Sequence, residues 1–248
     1  TYGIDKEKVE DTNKLKMAYY ADMFEQFVEH FNSEDKLYPE SYINDIVVTG
    51  AEVEFHEVDL GRKWNFSDLN YTFSRKFTNM ETKLDTLVNM QDRMSAFGLE
   101  AAYQPAEKKI SYQTYFSELY FSDLAENIAP AEIGYKFDIP VSARFEGTID
   151  FAAILANKDN VAKAINESVG NISFRVEGGT GSVKFSDDET MNYPVNDFVL
   201  NGQVEGGLQK IVINDANFDL DGEKIKISLE AKGLQKYFIE KSPKDIQI

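Results

Sequence analysis

Alternation of apolar and polar residues is the main signal in this chain. In segment 135–145 every second residue is apolar: Tyr135, Phe137, Ile139, Val141, Ala143 and Phe145. Because successive side chains of a strand point to opposite faces, this pattern predicts a half-buried antiparallel strand. The same two-residue period returns in segments 172–176, 182–186, 208–220 and 223–230. An amphipathic sheet is therefore the predicted basis of the fold.

Two longer segments follow a helical period instead. Segment 13–31 carries aromatic residues and a valine on one helical face, with carboxylates on the other, and predicts a long N-terminal helix. Segment 78–97 begins with a capping-box pattern, Thr78 to Glu81, and places Met80, Leu84 and Val88 at four-residue intervals. Gly98 stands where a helix C-cap belongs, so a second helix is predicted there.

Turn residues divide the rest of the chain into strands and short helices. Strands are predicted in 43–60, 64–77 and 195–204, and a hairpin is predicted around 105–108. Short helical segments are predicted at 150–156 and 160–169, and a short C-terminal helix at 233–240. Asp221-Gly222 indicates a type I′ turn, which needs positive φ at both central residues.

These elements predict a strand-rich α+β fold. We expect a curved antiparallel sheet or partial barrel, with the N-terminal helix and a second helix near 78–97 packed on it. The length of 248 residues fits a single domain, 1–248. A soft boundary near residue 130 would separate a mixed helix and strand part, 1–130, from an antiparallel meander, 131–248.

Composition excludes several classes of protein. The net charge of −17 repels phosphate backbones and anionic lipid headgroups, so nucleic acid is not expected as a partner. The absence of cysteine removes disulfides and thiol chemistry. No apolar run reaches the ~20 residues that a membrane helix needs. Because the chain opens at Thr1, we expect a processed, exported protein that is periplasmic, secreted or on the cell surface, where a lipoprotein is one form.

Catalytic patterns are sparse. No Gly-x-Ser-x-Gly elbow occurs, and His30 and His56 are the only imidazole side chains. Glu52, Glu54 and His56 would share a strand face and could ligate a metal, although a solvent-facing strand is the commoner explanation. A carboxylate- or metal-dependent hydrolase therefore stays an alternative, and a non-enzymatic protein is favoured.

A ladder of acidic and amide residues precedes the predicted type I′ turn: Asp215, Asn217, Asp219 and Asp221. The last three with Gly222 match the opening of a calcium-binding EF-hand loop. Ser228 stands at the twelfth position, where that loop requires a bidentate glutamate. Strand alternation up to the turn explains the same residues without a metal. We therefore expect no cofactor, with a calcium ion at this ladder as the alternative.

Aromatic richness suggests the favoured function. A curved sheet lined with aromatic rings can hold an apolar ligand, although plain core packing explains the same composition. The candidate lining residues are Tyr112, Phe116, Tyr120, Tyr135, Phe137 and Phe145. We therefore expect a protein that binds an apolar, lipid-like molecule or a protein partner on a concave sheet face. The alternative from another class is an acidic structural or adhesive cell-surface protein that meets a basic or cation-bridged partner.

Overall fold

The described residues form a long antiparallel sheet and three helices. The computed structural model describes residues 18–30, 42–57, 62–76, 79–90, 93–120, 137–184, 192–207 and 209–233. The helices are α1 (18–30), α2 (Phe151–Ala156) and α3 (Val161–Ser168). The strands are β1 (Asp45–Glu57), β2 (Arg62–Arg75), β3 (Met80–Met90), β4 (Arg93–Gln104), β5 (Lys109–Tyr120), β6 (Phe137–Asp138), β7 (Pro140–Asp150), β8 (Ile172–Gly178), β9 (Gly181–Lys184), β10 (Asn192–Glu205), β11 (Lys210–Leu220) and β12 (Glu223–Lys232).

Ten of these strands form one continuous path. Their order is β1-β2-β3-β4-β5-β7-β8-β10-β11-β12, and every neighbouring pair is antiparallel. The short strands β6 and β9 pair with each other beside this path, and β9 also pairs with β10. Among the described residues β1 does not pair with β12, so the sheet is open. The predicted strand-rich antiparallel architecture is confirmed.

Strand pairing overturns the predicted helix near 78–97. The described part of this segment belongs to β3 and β4 from residue 80 onward, and these strands pair from Met90 with Arg93 to Met80 with Tyr103. Apolar residues four apart share one face of a strand, because the strand period is two residues. They also share one face of a helix, because the helical period is about 3.6 residues. Gly98, predicted as a helix cap, instead lies inside β4, where a Cβ would overlap the Tyr115 ring of β5.

Other local predictions are confirmed. α1 covers 18–30 within the predicted 13–31, and α2 and α3 begin after Asp150 and Asn160, whose side chains accept hydrogen bonds from Ala153 and Lys163 backbone N–H groups. The Asp221-Gly222 turn has φ values of 53° and 85°, as a type I′ hairpin requires. The start of the N-terminal prediction, residue 130 and the predicted 233–240 helix, apart from residue 233, lie outside the described residues.

The segment 135–145 is not one strand. β6 ends at Asp138, Ile139 stands between strands, and β7 begins at Pro140. Ile139 is 3% exposed and packs with Leu119, Val141 and Val195. The alternating apolar residues are therefore divided between the short strand β6 and strand β7 of the ten-strand path.

Helices cover one end of the sheet. Phe24 of α1 packs edge-on against Phe151 of α2, with ring centroids 4.7 Å apart, and against Tyr103 of β4 at 5.3 Å. Phe73 and Met80 complete this buried group with Tyr103 and Phe151. The backbone N–H of Phe151 donates to the Lys108 carbonyl at 2.8 Å, which ties α2 to the β4–β5 turn. We call the end of the sheet that contains the β4–β5 turn the helix end. The opposite end of the strands is the far end.

Candidate functional site

The register of the sheet collects apolar residues on one face. Directly opposed residues of neighbouring antiparallel strands share a face, so a row can be followed from strand to strand. One row crosses all ten strands of the path, and we call it the middle row: Val48, Tyr71, Leu84, Leu99, Thr114, Phe145, Phe174, Gly202, Ile213 and Leu229. It contains no charged residue. The face that carries it is called the apolar face below.

A second uncharged row runs beside the first, towards the far end. It extends from β3 to β12 through Thr86, Phe97, Phe116, Ala143, Val176, Leu200, Ala216 and Ile227. The rings of Phe116 and Phe145 lie 6.1 Å apart, and those of Phe145 and Phe174 lie 6.2 Å apart. The two rows therefore form a continuous aromatic and aliphatic band.

The band is only partly buried. Of the middle row only Gly202 is buried, whereas the other nine residues keep part of their side chains or backbone exposed. Among the described residues no large side chain is less than 2% exposed. Within the described residues, the helices therefore lie over the helix end of the apolar face, and the middle of that face stays partly exposed.

Thr114 lies at the centre of the middle row, and its hydroxyl has a hydrogen-bond partner within the sheet. The Thr114 hydroxyl donates to the Gly98 carbonyl at 2.9 Å, so this residue adds little polarity to the band. At Gly202 a Cβ would overlap the Phe174 ring and the Val212 carbonyl. Glycine at this position lets the Phe174 ring approach the β10 backbone closely, which keeps the band continuous.

The opposite face of the sheet is polar. Lys83 lies 3.1 Å from Glu100 and 3.5 Å from Asp85, and the Tyr115 hydroxyl donates to Asp85 at 2.7 Å. The hydrogen bond to Glu100 is the main cause that raises the pKa of Lys83, and the bond to Asp85 is the main cause that raises the pKa of Tyr115. These groups are exposed, so such pairs contribute little to stability.

A cavity of about 540 Å³ lies on this polar face, across β2 to β7. Its lining includes the carboxylates Glu81, Glu100 and Glu146 and the ammonium group of Lys83. The amide of Gln113 donates to Glu146 at 3.0 Å across the cavity wall. Carboxylates and amides make this cavity unsuited to an apolar molecule, because burying them against hydrocarbon costs free energy.

The predicted lining residues do not all share one face. Tyr112, Phe116 and Phe145 lie on the apolar face. Tyr120 does not, because a register shift between Phe116 and Leu119 places Leu119 opposite Val141 on that face and turns Tyr120 away.

The other three predicted lining residues are Tyr120, Phe137 and Tyr135. The guanidinium of Arg93 lies 3.9 Å from the centroid of the Tyr120 ring, which is a cation–π contact. Phe137 belongs to β6, opposite Val183 of β9 and outside the ten-strand path. Tyr135 lies outside the described residues.

No protein-family model matches this chain, and no curated protein matches it.

The predicted calcium ladder has protein partners. The Lys226 ammonium lies 3.0 Å from Asp215 Oδ1, and the Asn217 amide donates to Asp215 Oδ2 at 2.7 Å. Lys226 is the main cause that holds the pKa of Asp215 below its usual range. Asp219 accepts a hydrogen bond from the Gly222 N–H at 2.8 Å, which supports the turn at Asp221.

Glu52, Glu54 and His56 are the residues of the metal site considered on β1. Their positions in β1 share the polar face, and the His56 ring contacts Glu54, which lies 3.7 Å from Lys63. The contact with His56 is the main cause that lowers the pKa of Glu54. Within the described ranges, no group of three or more His, Asp or Glu side chains converges to hold a metal ion.

Sequence reasoning missed most of the band. Leu84 falls inside the predicted helix 78–97, and the register that aligns Leu84 and Leu99 with Phe174 cannot be counted from one strand alone. A usable signal was present, since Glu81, Lys83 and Asp85 alternate with Thr82, Leu84 and Thr86 at the strand period.

In the part of the chain that the structure describes, none of the helices has the length and the apolar character of a membrane-spanning segment.

Proposed function

We propose that the apolar face binds lipid acyl chains and that the protein acts as a non-enzymatic lipid-binding protein. One observation carries the proposal: the middle row crosses ten strands without a charge and keeps nine of its ten residues partly exposed. Acyl chains need no hydrogen-bond partners, so an uncharged, mostly apolar band suits them. Covering the band with hydrocarbon removes apolar surface from water, which is favourable by about 25 cal/mol per Å².

The dimensions of the band suit an extended ligand. Neighbouring strands lie about 4.8 Å apart, so nine spacings give a band about 43 Å long. A bilayer core about 30 Å thick is built from two layers of acyl chains, so one chain spans about 15 Å. The band can therefore hold more than one chain end to end, or one lipid at several positions along it.

Charge suggests which lipids bind. The chain carries a net charge of −17, and exposed carboxylates on the polar face include Glu52, Glu100 and Glu146. Anionic headgroups near such a surface are repelled, particularly at low salt. We therefore propose neutral or zwitterionic lipids as the ligands. The exported location stays a prediction from the sequence.

A matched pair of variants tests this function. Phe174→Glu places a carboxylate at the centre of the band, whereas Ser173→Glu places the same group on the polar face of the same strand. We expect Phe174→Glu to abolish binding of fluorescent phosphatidylcholine and Ser173→Glu to leave it unchanged, with circular dichroism confirming that both variants fold. Phosphatidylglycerol should bind more weakly than phosphatidylcholine.

The same experiment can refute the proposal. Equal binding by the two variants would show that lipid contacts lie elsewhere. Native mass spectrometry of the gently purified protein gives an independent check, because a resident lipid adds a discrete mass to the 28.2 kDa chain. A bare mass together with no binding of the fluorescent lipid would leave the band to a protein partner.

A further inference from the structure

The two outer strands of the sheet are complementary to each other. Among the described residues no strand pairs with the outer edge of β1 or of β12. An unpaired edge presents a row of free backbone N–H and C=O groups to another strand. Both edges are long, with 13 residues in β1 and 10 in β12.

Strand direction allows the edges to meet. Nine successive antiparallel pairings connect the ten strands, so β1 and β12 run in opposite directions. A second copy shifted along the sheet, without turning it over, would therefore place its β1 antiparallel to β12 of the first copy. Its apolar face would lie on the same side. An odd number of strands would instead give a parallel junction.

Extending the middle row sets the register of this junction. Leu229 of one copy would lie opposite Val48 of the next, as each row member lies opposite its neighbour within the sheet. β1 contains one extra residue between Val48 and Ala51, and β12 is regular over its length. Counting past this bulge places Ala51 opposite Ile227 and Val53 opposite Ile225.

Charges of opposite sign coincide in that register. On the polar face, Asp45 would oppose Lys232, Glu52 would oppose Lys226, and Glu54 would oppose Lys224. All six of these residues are exposed in the single chain. Lysines on an edge strand commonly prevent pairing, but here the facing edge carries acids at the matching positions. Opposite charges directly across two strands stabilise their pairing.

Apolar exposure is also concentrated at these edges. The exposed fractions are 38% for Val48, 43% for Val53 and 54% for Phe55 on β1, and 44% for Ile227 on β12. All four lie on the apolar face, so an edge-to-edge junction would shield them with side chains of the same kind. The Lys226 side chain is 73% exposed while it pairs with Asp215, which leaves room for a second carboxylate.

We infer that copies of this chain associate head to tail, with β12 of one pairing antiparallel to β1 of the next and the apolar face continuing across the junction. The contact is heterologous, so it adds copies in a series and does not stop at a dimer unless the series closes. This inference goes beyond the proposed function, because it needs no lipid.

Two charge reversals and their mixture test the junction. In sedimentation velocity, the wild-type chain should show mass that grows with concentration and falls between roughly 0.05 and 0.5 M salt. Glu52→Lys and Lys226→Glu should each weaken association by about tenfold or more, because each places like charges opposite one another. An equimolar mixture of the two variants restores an opposite-charge pair at mixed junctions, so association should return.

The controls separate the junction from general charge effects. Asp159→Lys makes the same change of charge as Glu52→Lys, but in the exposed turn between α2 and α3. It should leave association unchanged. Glu52→Lys leaves the Lys226–Asp215 pair intact, and thermal melts will show whether Lys226→Glu alters the fold. A wild-type chain that stays monomeric at all concentrations would overturn the inference. So would association that the two reversals leave unchanged, or a mixture that fails to recover. Lipid binding by such a monomer would leave the proposed function standing.

Discussion

Removing the Phe151 ring tests whether the helices cover only one end of the apolar face. Phe151 is 6% exposed and contacts Phe24 of α1 and Tyr103 of β4, with centroids 4.7 Å and 6.2 Å away. Truncating a buried phenylalanine to alanine costs about 3–5 kcal/mol through lost burial and the cavity left behind. The two edge-on ring contacts place the Phe151→Ala loss towards the upper part of that range.

Phe145→Ala is the matched control, since it removes the same ring from the open middle of the band. Phe145 is only partly buried, so its loss should cost about 1–2 kcal/mol. Hydrogen-exchange mass spectrometry measures the local free energy of opening, in peptides covering α2 and β4 for Phe151→Ala and β7 for Phe145→Ala. If the two substitutions proved equally costly, the middle of the apolar face would be covered and the reasoning would be wrong.

Three further predictions follow from single contacts. Gly98→Ala should destabilise the protein by roughly 1–3 kcal/mol in chemical denaturation because its Cβ overlaps Tyr115, and this cost should shrink in a Tyr115→Ala background; an unchanged cost would contradict the overlap. Gly222→Ala should cost about 1 kcal/mol in the same assay because φ is 85° at this turn, whereas a neutral result would place the turn in another conformation. The pKa of Asp215 is lowered by Lys226, so its contribution to stability is present above the usual aspartate pKa and is lost as pH falls through the lower folded value; Asp215→Asn should therefore flatten the acid side of a plot of melting temperature against pH, and an unchanged slope would dismiss the pair.

Local patterns in the sequence predicted much of the fold but little of the band. The hairpin at 105–108, the turn at Asp221-Gly222 and the two short helices near 150–156 and 160–169 depend on neighbouring residues, and all are present. The helix prediction for segment 78–97 was wrong because its apolar spacing suits both periods, and the pairing of β3 with β2 and of β4 with β5 shows that the strand period is the correct one.

The candidate site depended on information that one strand does not contain. Phe145 could be assigned to an apolar strand face from alternation alone, and the structure places it in the middle row. Tyr120 was assigned to the same face as Tyr112, because nothing in the local pattern reveals the register shift after Phe116. A bulge moves every later side chain to the other face, so it changes a predicted site more than it changes a predicted fold.

The order of the ten strands has a consequence for how this molecule gains and loses structure. Each strand of the path pairs with its two neighbours in the order given above. Helices α2 and α3 lie between β7 and β8 in the sequence, but these two strands pair directly in the sheet. Stability in such a chain approximates a sum over adjacent pairs, as in repeat proteins, so partial unfolding can start from an outer strand while the interior stays paired. Adding or removing a hairpin at an outer edge would therefore change the length of the apolar band without disturbing the pairing of the interior strands.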